Sequence, residues 1–138
     1  FEKKWKQAKR FWDDSDSSLL SSFPGYDQLV EDAASIQYKK PALATGMSIL
    51  LPGSGKFYTK NRVDGILSFV SIGALSFQAY RGFSAKGTNS AYGWIFGTLA
   101  LGFYSGNIYG SFKAAKKYNS VLDEKNYSNV ENAFRNTY

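Results

Sequence analysis

The 138-residue chain contains no cysteine and no histidine. Their absence excludes disulfide bridges, thiolate nucleophiles, zinc sites with sulfur or imidazole ligands, and every triad that uses imidazole as its base. Acidic side chains are also few: the 11 carboxylates lie mainly towards the two ends and offer no convergent pair for acid–base work. Catalysis is therefore not expected, and neither is a cofactor or a metal. A signal-peptide pattern is missing as well, because Phe1 to Phe11 is charged throughout. The first residue is Phe1 rather than Met, so the numbering is expected to begin inside a longer precursor or after a processed leader.

What the chain does contain is unevenly spread. A mean hydropathy of -0.33 describes an ordinary soluble protein, yet the apolar residues concentrate between Pro41 and Phe112 while the ends hold most of the charge. Three regions follow: 1–40 as amphipathic and basic N-terminal helices, 41–119 as a glycine-rich helical membrane domain, and 120–138 as a polar docking tail. The expected fold class is all-α, a membrane-embedded hairpin of two long helices plus a short half-inserted one.

In FEKKWKQAKRFW, residues 1 to 12, Phe1, Trp5, Ala8 and Trp12 share one helical face and Lys3, Lys4, Lys6 and Arg10 spread over the other. Such a helix suits a membrane surface, with Trp5, Phe11 and Trp12 as interfacial anchors, or docking on a neighbouring subunit. DDSDSS at 13–18 should end it and FPGY at 23–26 should turn; Asp27 to Tyr38 then reads as a second short helix. Pro41 can open the next helix, and ALATGMSILL from 42 to 51 is uncharged but rises only about 15 Å, half the hydrocarbon thickness.

GILSFVSIGALSFQAY, 65–80, carries no charge and rises about 24 Å; after a polar loop at 84–90, Ala91 to Phe112 supplies 22 uncharged residues, about 33 Å. In this last stretch Gly93 and Gly97, then Gly102, Gly106 and Gly110, stand at four-residue intervals. Each would cost roughly 1 kcal/mol in a soluble helix, whereas in lipid small residues let helix backbones approach. Gly65 and Gly73 answer on the preceding helix. Asn107, deep in the last helix, is costly unless hydrogen-bonded, and the economical reading is an interhelical hydrogen bond.

The turn LPGSGKFYTKNR at 51–62 superficially suggests a phosphate loop, but Leu50 stands where the first glycine belongs and Phe57 where Ser or Thr must follow the lysine. It reads instead as a tight turn through Pro52, Gly53 and Gly55, with Phe57 and Tyr58 at the membrane interface and Lys56, Lys60 and Arg62 facing water or lipid phosphate. The run ILLPGSGKFYTKNRVDGILSF resembles the LPGxGQFYxGxxxxG segment of small helical-hairpin membrane proteins of the Bacteroidota type, and GFYSGNIYGSFKAAKKYN at 102–119 resembles their later GFYxGNIYGSxxAAxxYN segment. The resemblance covers roughly 40–119 and implies a membrane-embedded module with no known reaction; Lys56 departs from it, since Gln is usual there.

The net charge of +6 could point to nucleic acid, but the aromatics lie mostly in the apolar middle and no recognition motif surrounds the basic residues. Anionic lipid headgroups or other membrane-protein subunits are the expected partners. Lys56, Lys60, Arg62, Lys113, Lys116 and Lys117 outnumber Arg81 and Lys86, which would put both tails in the cytoplasm of an inner-membrane protein, although outer-membrane residence stays open. The functions that follow are a non-catalytic structural or accessory subunit of a bacterial envelope complex serving assembly, transport or secretion, and a lipid-binding module that senses or remodels the membrane. An enzyme or ligand carrier using Lys56 and Asn107, which has little behind it, and a soluble four-helix bundle complete the field.

Overall fold

The computed structural model describes residues 5–16 and 25–137, and every regular element among them is helical. Expectations resting on Phe1, Lys3 and Lys4, or on Phe23 and Pro24 of the FPGY turn, lie outside the described residues. The chain divides into two compact units, one drawn from Phe1–Tyr38 with Asn119–Tyr138 and the other from Lys39–Tyr118.

In the first unit, α1 (Trp5–Asp13) and α2 (Tyr26–Ala34) pack on one another. Gly25, at φ 92, supplies the left-handed turn that starts α2, and the helix stops at Ala34, short of the expected Tyr38. The Trp12 indole N–H donates to Asp27 Oδ1 at 2.6 Å, and its ring stacks on Tyr26. Trp5 donates to Asp123 Oδ1 at 3.2 Å, and the Tyr38 hydroxyl donates to the same oxygen at 2.5 Å. Asp123 is thereby buried as a shared acceptor. At the surface, Lys9 hydrogen-bonds Asp13, which raises the lysine pKa, but so exposed a pair adds little to stability.

The second unit begins with α3 (Pro41–Leu50), opened by Pro41 as its first helical residue. The expected tight turn leads into a single further helical turn, α4 (Ser54–Tyr58). Lys60 takes the left-handed conformation at φ 64 and ends it. Next come α5 (Arg62–Lys86), a 3-10 turn at Gly87–Asn89, and α6 (Ala91–Thr137). Asp64 lies in the first turn of α5, where its carboxylate accepts from the Asn61 amide.

Two expectations change. The polar loop at 84–90 contracts to the 3-10 turn because Ser84 to Lys86 still satisfy the helical ladder of α5, which ends at Gly87 with φ 55. The C-terminal residues, read as a polar tail with weak helical periodicity, are helical: α6 runs to Thr137, because no glycine or proline follows Gly110 to break it and an Arg135–Glu131 pair supports its last turns.

Of the described helices, one is long and apolar enough to cross a membrane, Arg62–Asn89, with a mean hydropathy of 1.3. Only 17% of its apolar stretch is buried, against the habit of a soluble core helix. The expected second span, Ala91 to Phe112, does not reach that hydropathy. Its Tyr92, Tyr104, Ser105 and Asn107, together with the glycines, dilute the apolar residues.

The loop end of α5 and α6 is closed by glycine against glycine. A Cβ on Gly82 would lie 2.6 Å from the Cα and N of Gly93, and one on Gly93 would meet the Phe83 ring at 2.8 Å. Phe83 in turn meets Trp94 edge-on at 5.4 Å. Gly82→Ala should therefore destabilise this unit by about 2 kcal/mol, since backbone cannot yield as a side chain can; thermal unfolding in detergent would show it.

Candidate functional site

The turn motif builds the centre of the second unit. Gly53, at φ 87, lies so close to α5 that a Cβ there would stand 2.2 Å from the Gly65 carbonyl oxygen, and Phe57 lays its ring over Gly65. Gly55 sits equally tightly on α3, where a Cβ would be 1.9 Å from the Ala44 carbonyl oxygen. Two short helices can thus fold back on each other only with glycine at both places.

A buried hydrogen-bond relay crosses the same point. The Gly55 N–H donates to Ser48 Oγ at 3.0 Å, the Ser48 hydroxyl lies 2.6 Å from Ser111 Oγ, and the Ser111 hydroxyl donates to the Asn107 carbonyl at 2.9 Å. Ser48 and Ser111, both at 0% exposure, are the largest fully buried side chains among the described residues. Each hydroxyl has its partner, so the relay ties α3, α4 and α6 without an unpaired group. Ser54 adds a bond to the Met47 carbonyl, and Tyr104 donates to the Ile49 carbonyl at 2.6 Å.

Beside the relay, Lys56 extends past Gly110 of α6 and donates to Ser68 of α5 at 2.7 Å. Lys56, Ser68, Ser71 and Asn107, with Leu67, Ile72, Phe103 and Gly106, line a cavity of about 290 Å³. Asn107 is only 3% exposed, and neither polar atom of its amide has a hydrogen-bond partner. The expected interhelical bond from this side chain is not formed; its backbone carbonyl, not its amide, holds the neighbouring helix through Ser111. Gln78 Oε1 is likewise buried without a partner.

The other expected residues are placed as follows. Pro52 is half-buried at the turn. Tyr58 accepts from the Lys40 N–H and lies under the Lys39 ammonium at 4.5 Å. Phe57, Lys60 and Arg62 are exposed, with Lys60 within 6.0 Å of the Tyr118 ring. Gly65 is in close contact with Phe57 and Gly53, Gly93 with the Phe83 ring, Gly97 is in ordinary contact with Phe83, and Gly110 touches Lys56. Gly73, Gly102 and Gly106 face open space. The indole N–H groups of Trp5 and Trp12 are taken by carboxylates, while Phe11 is 79% exposed. Sequence reasoning missed Gly82, Ser48 and Ser111. A small residue within an apolar stretch was the available signal for each, but nothing in spacing pairs residues 63 positions apart.

Among the described residues, these features define an all-helical protein with a small interior in its Lys39–Tyr118 unit and one helix long and apolar enough to cross a membrane. No protein-family model, curated protein or solved structure matches the chain. Among the described residues there is also no cluster of three acidic groups that could hold a metal ion.

Proposed function

We propose that the protein is a non-catalytic, membrane-embedded accessory subunit of a bacterial envelope complex serving assembly, transport or secretion, and that it acts through helix packing. The observation that carries this reading is the inverted polarity of the Lys39–Tyr118 unit. Its buried residues are Ser48, Thr59, Ser90, Asn107 and Ser111 with glycines, alanines and one isoleucine, whereas Ile66, Leu67, Phe69, Val70, Phe77, Ile95, Leu99 and Leu101 are exposed. In water this arrangement would leave apolar surface far beyond what a monomer ordinarily shows; in lipid it is the favourable one.

Gly73, Gly102 and Gly106 support the role in packing, since their open faces offer other helices a close approach. The resemblance to small hairpin membrane proteins of the Bacteroidota type supports the bacterial envelope, and α5 and α6 would form the embedded hairpin. A lipid-sensing role for α1 has less behind it, because the indole N–H groups of Trp5 and Trp12 already donate to carboxylates.

Alkaline carbonate should leave the protein in the membrane pellet, and release into the supernatant would end the embedded reading. Gly102→Leu with Gly106→Leu should abolish co-purification of the partner subunits while the melting temperature in detergent stays within a few degrees. Retention of the same partners by the double variant would remove the packing role.

A further inference from the structure

The cavity bounded by α4, α5 and α6 has the chemistry of a binding site. Asn107 contributes an amide that is nine-tenths buried and more, lines the cavity, and has neither its donor nor its acceptor satisfied. Unpaired polar groups in an interior cost about 1–3 kcal/mol each, so a ligand that pairs them recovers that cost on binding. Lys56 contributes the charge. It has three N–H donors, Ser68 takes one, and among the described residues its ammonium has no carboxylate partner. No acidic side chain lines the cavity, so the Lys56 ammonium favours an anionic acceptor there.

The form of the ligand follows from the walls. Leu67 and Phe103, which line the cavity, are both exposed on the outer apolar surface, so its mouth opens where the proposed bilayer would be. Ser68 lies a turn and a half from Arg62, and Asn107 a turn and a half from Lys113, which is about 9 Å of helix in each case. The head of an amphiphile already in the bilayer can therefore enter from the apolar side. One lysine balances one negative charge. A volume of about 290 Å³ admits a small head and the first methylenes of a chain.

We propose that this cavity binds the carboxylate head of a single-chain fatty acid, with Lys56 and Asn107 donating to the carboxylate, Ser68 and Ser71 completing the polar wall, and the chain leaving between Leu67 and Phe103. The proposal rests on the membrane-embedded reading above, and the test separates the two. The full chain is reconstituted in phosphatidylcholine nanodiscs, and binding of oleate, oleyl alcohol and acetate is measured by native mass spectrometry and competition with a fluorescent fatty acid.

Oleate should bind at least tenfold more tightly than oleyl alcohol, and acetate should not compete. Lys56→Gln and Asn107→Leu should each weaken oleate tenfold or more while both variants still enter nanodiscs and keep the parent melting temperature within a few degrees. Equal binding of oleyl alcohol would make the cavity a plain apolar groove, and competition by acetate would make it a site for soluble anions; either overturns the proposal. So would unchanged oleate binding in both variants, or loss of a co-purifying membrane subunit from Lys56→Gln with no oleate binding in the parent. A chain that fails to enter nanodiscs would instead refute the embedded reading itself.

Discussion

Gly55→Ala should cost the Lys39–Tyr118 unit about 3 kcal/mol, at the upper end of what overpacking does. The added Cβ would lie 1.9 Å from the Ala44 carbonyl oxygen and 2.6 Å from Ser48 Oγ, so it strikes a backbone atom and the centre of the relay at once. Neither neighbour can swing away. Ala44 is held within α3, and Ser48 is fixed by its bonds to Gly55 and Ser111. The position has no unusual φ, so the effect is steric and an alanine scan separates it from backbone strain. The informative control is Gly102→Ala, where nothing lies within 4 Å and helix propensity favours alanine by up to about 1 kcal/mol. Thermal or denaturant unfolding in detergent should show a large loss for Gly55→Ala and none for Gly102→Ala. Equal stability of the two would mean that α3 and α4 do not meet through Gly55.

Asp123→Ala should release α1 from the first unit. One carboxylate oxygen accepts from both the Trp5 indole and the Tyr38 hydroxyl, and hydrogen bonds to a charged acceptor contribute about 1.5–3 kcal/mol each. Removing the acceptor takes this bond from both the Trp5 indole and the Tyr38 hydroxyl, and a local loss of about 2 kcal/mol is expected, against roughly half that for Asp123→Asn, which keeps an oxygen in place. Hydrogen exchange reads this directly. Amides of Trp5–Asp13 should lose protection in Asp123→Ala while those of α5, in the other unit, keep theirs. Unchanged protection of α1 would show that Trp12, through Asp27 and Tyr26, suffices to hold it.

Much of the helical framework is legible in the residues. Pro41 starts α3 because it arrives with a helical φ and no N–H to waste, and α3 ends within one residue of its expected limit. Uncharged runs without proline set α5 and the first half of α6, and the hydroxyls of Ser105 and Ser111 bond back to carbonyls four residues earlier without breaking the helix. The ends were harder to read. Ser84 to Lys86 are polar and were assigned to a loop, but polarity does not break a helix, and only Gly87 does. The Asn-rich residues after Asn119 misled in the same way, since low hydrophobicity argues against a core of their own and not against extension of an existing helix, whose nucleation is already complete.

For the candidate site, the turn motif and the depth of Asn107 could be read from type and position, whereas the serine relay could not. Ser48 and Ser111 are unremarkable in the chain, and they matter only because Gly55 allows α3 and α4 to close and brings them within 2.6 Å.

By composition and order alone, the chain determined an all-helical protein without thiol or imidazole chemistry, with an uncharged middle and charged ends, because those properties depend on residue type and local spacing. Tertiary structure decided which glycines are contacts and which are open, left the Asn107 amide without a partner, and set Lys56 beside it. The physical reason is that a glycine or a polar side chain acquires its role from what approaches it, and that approach is made by residues far away in the chain.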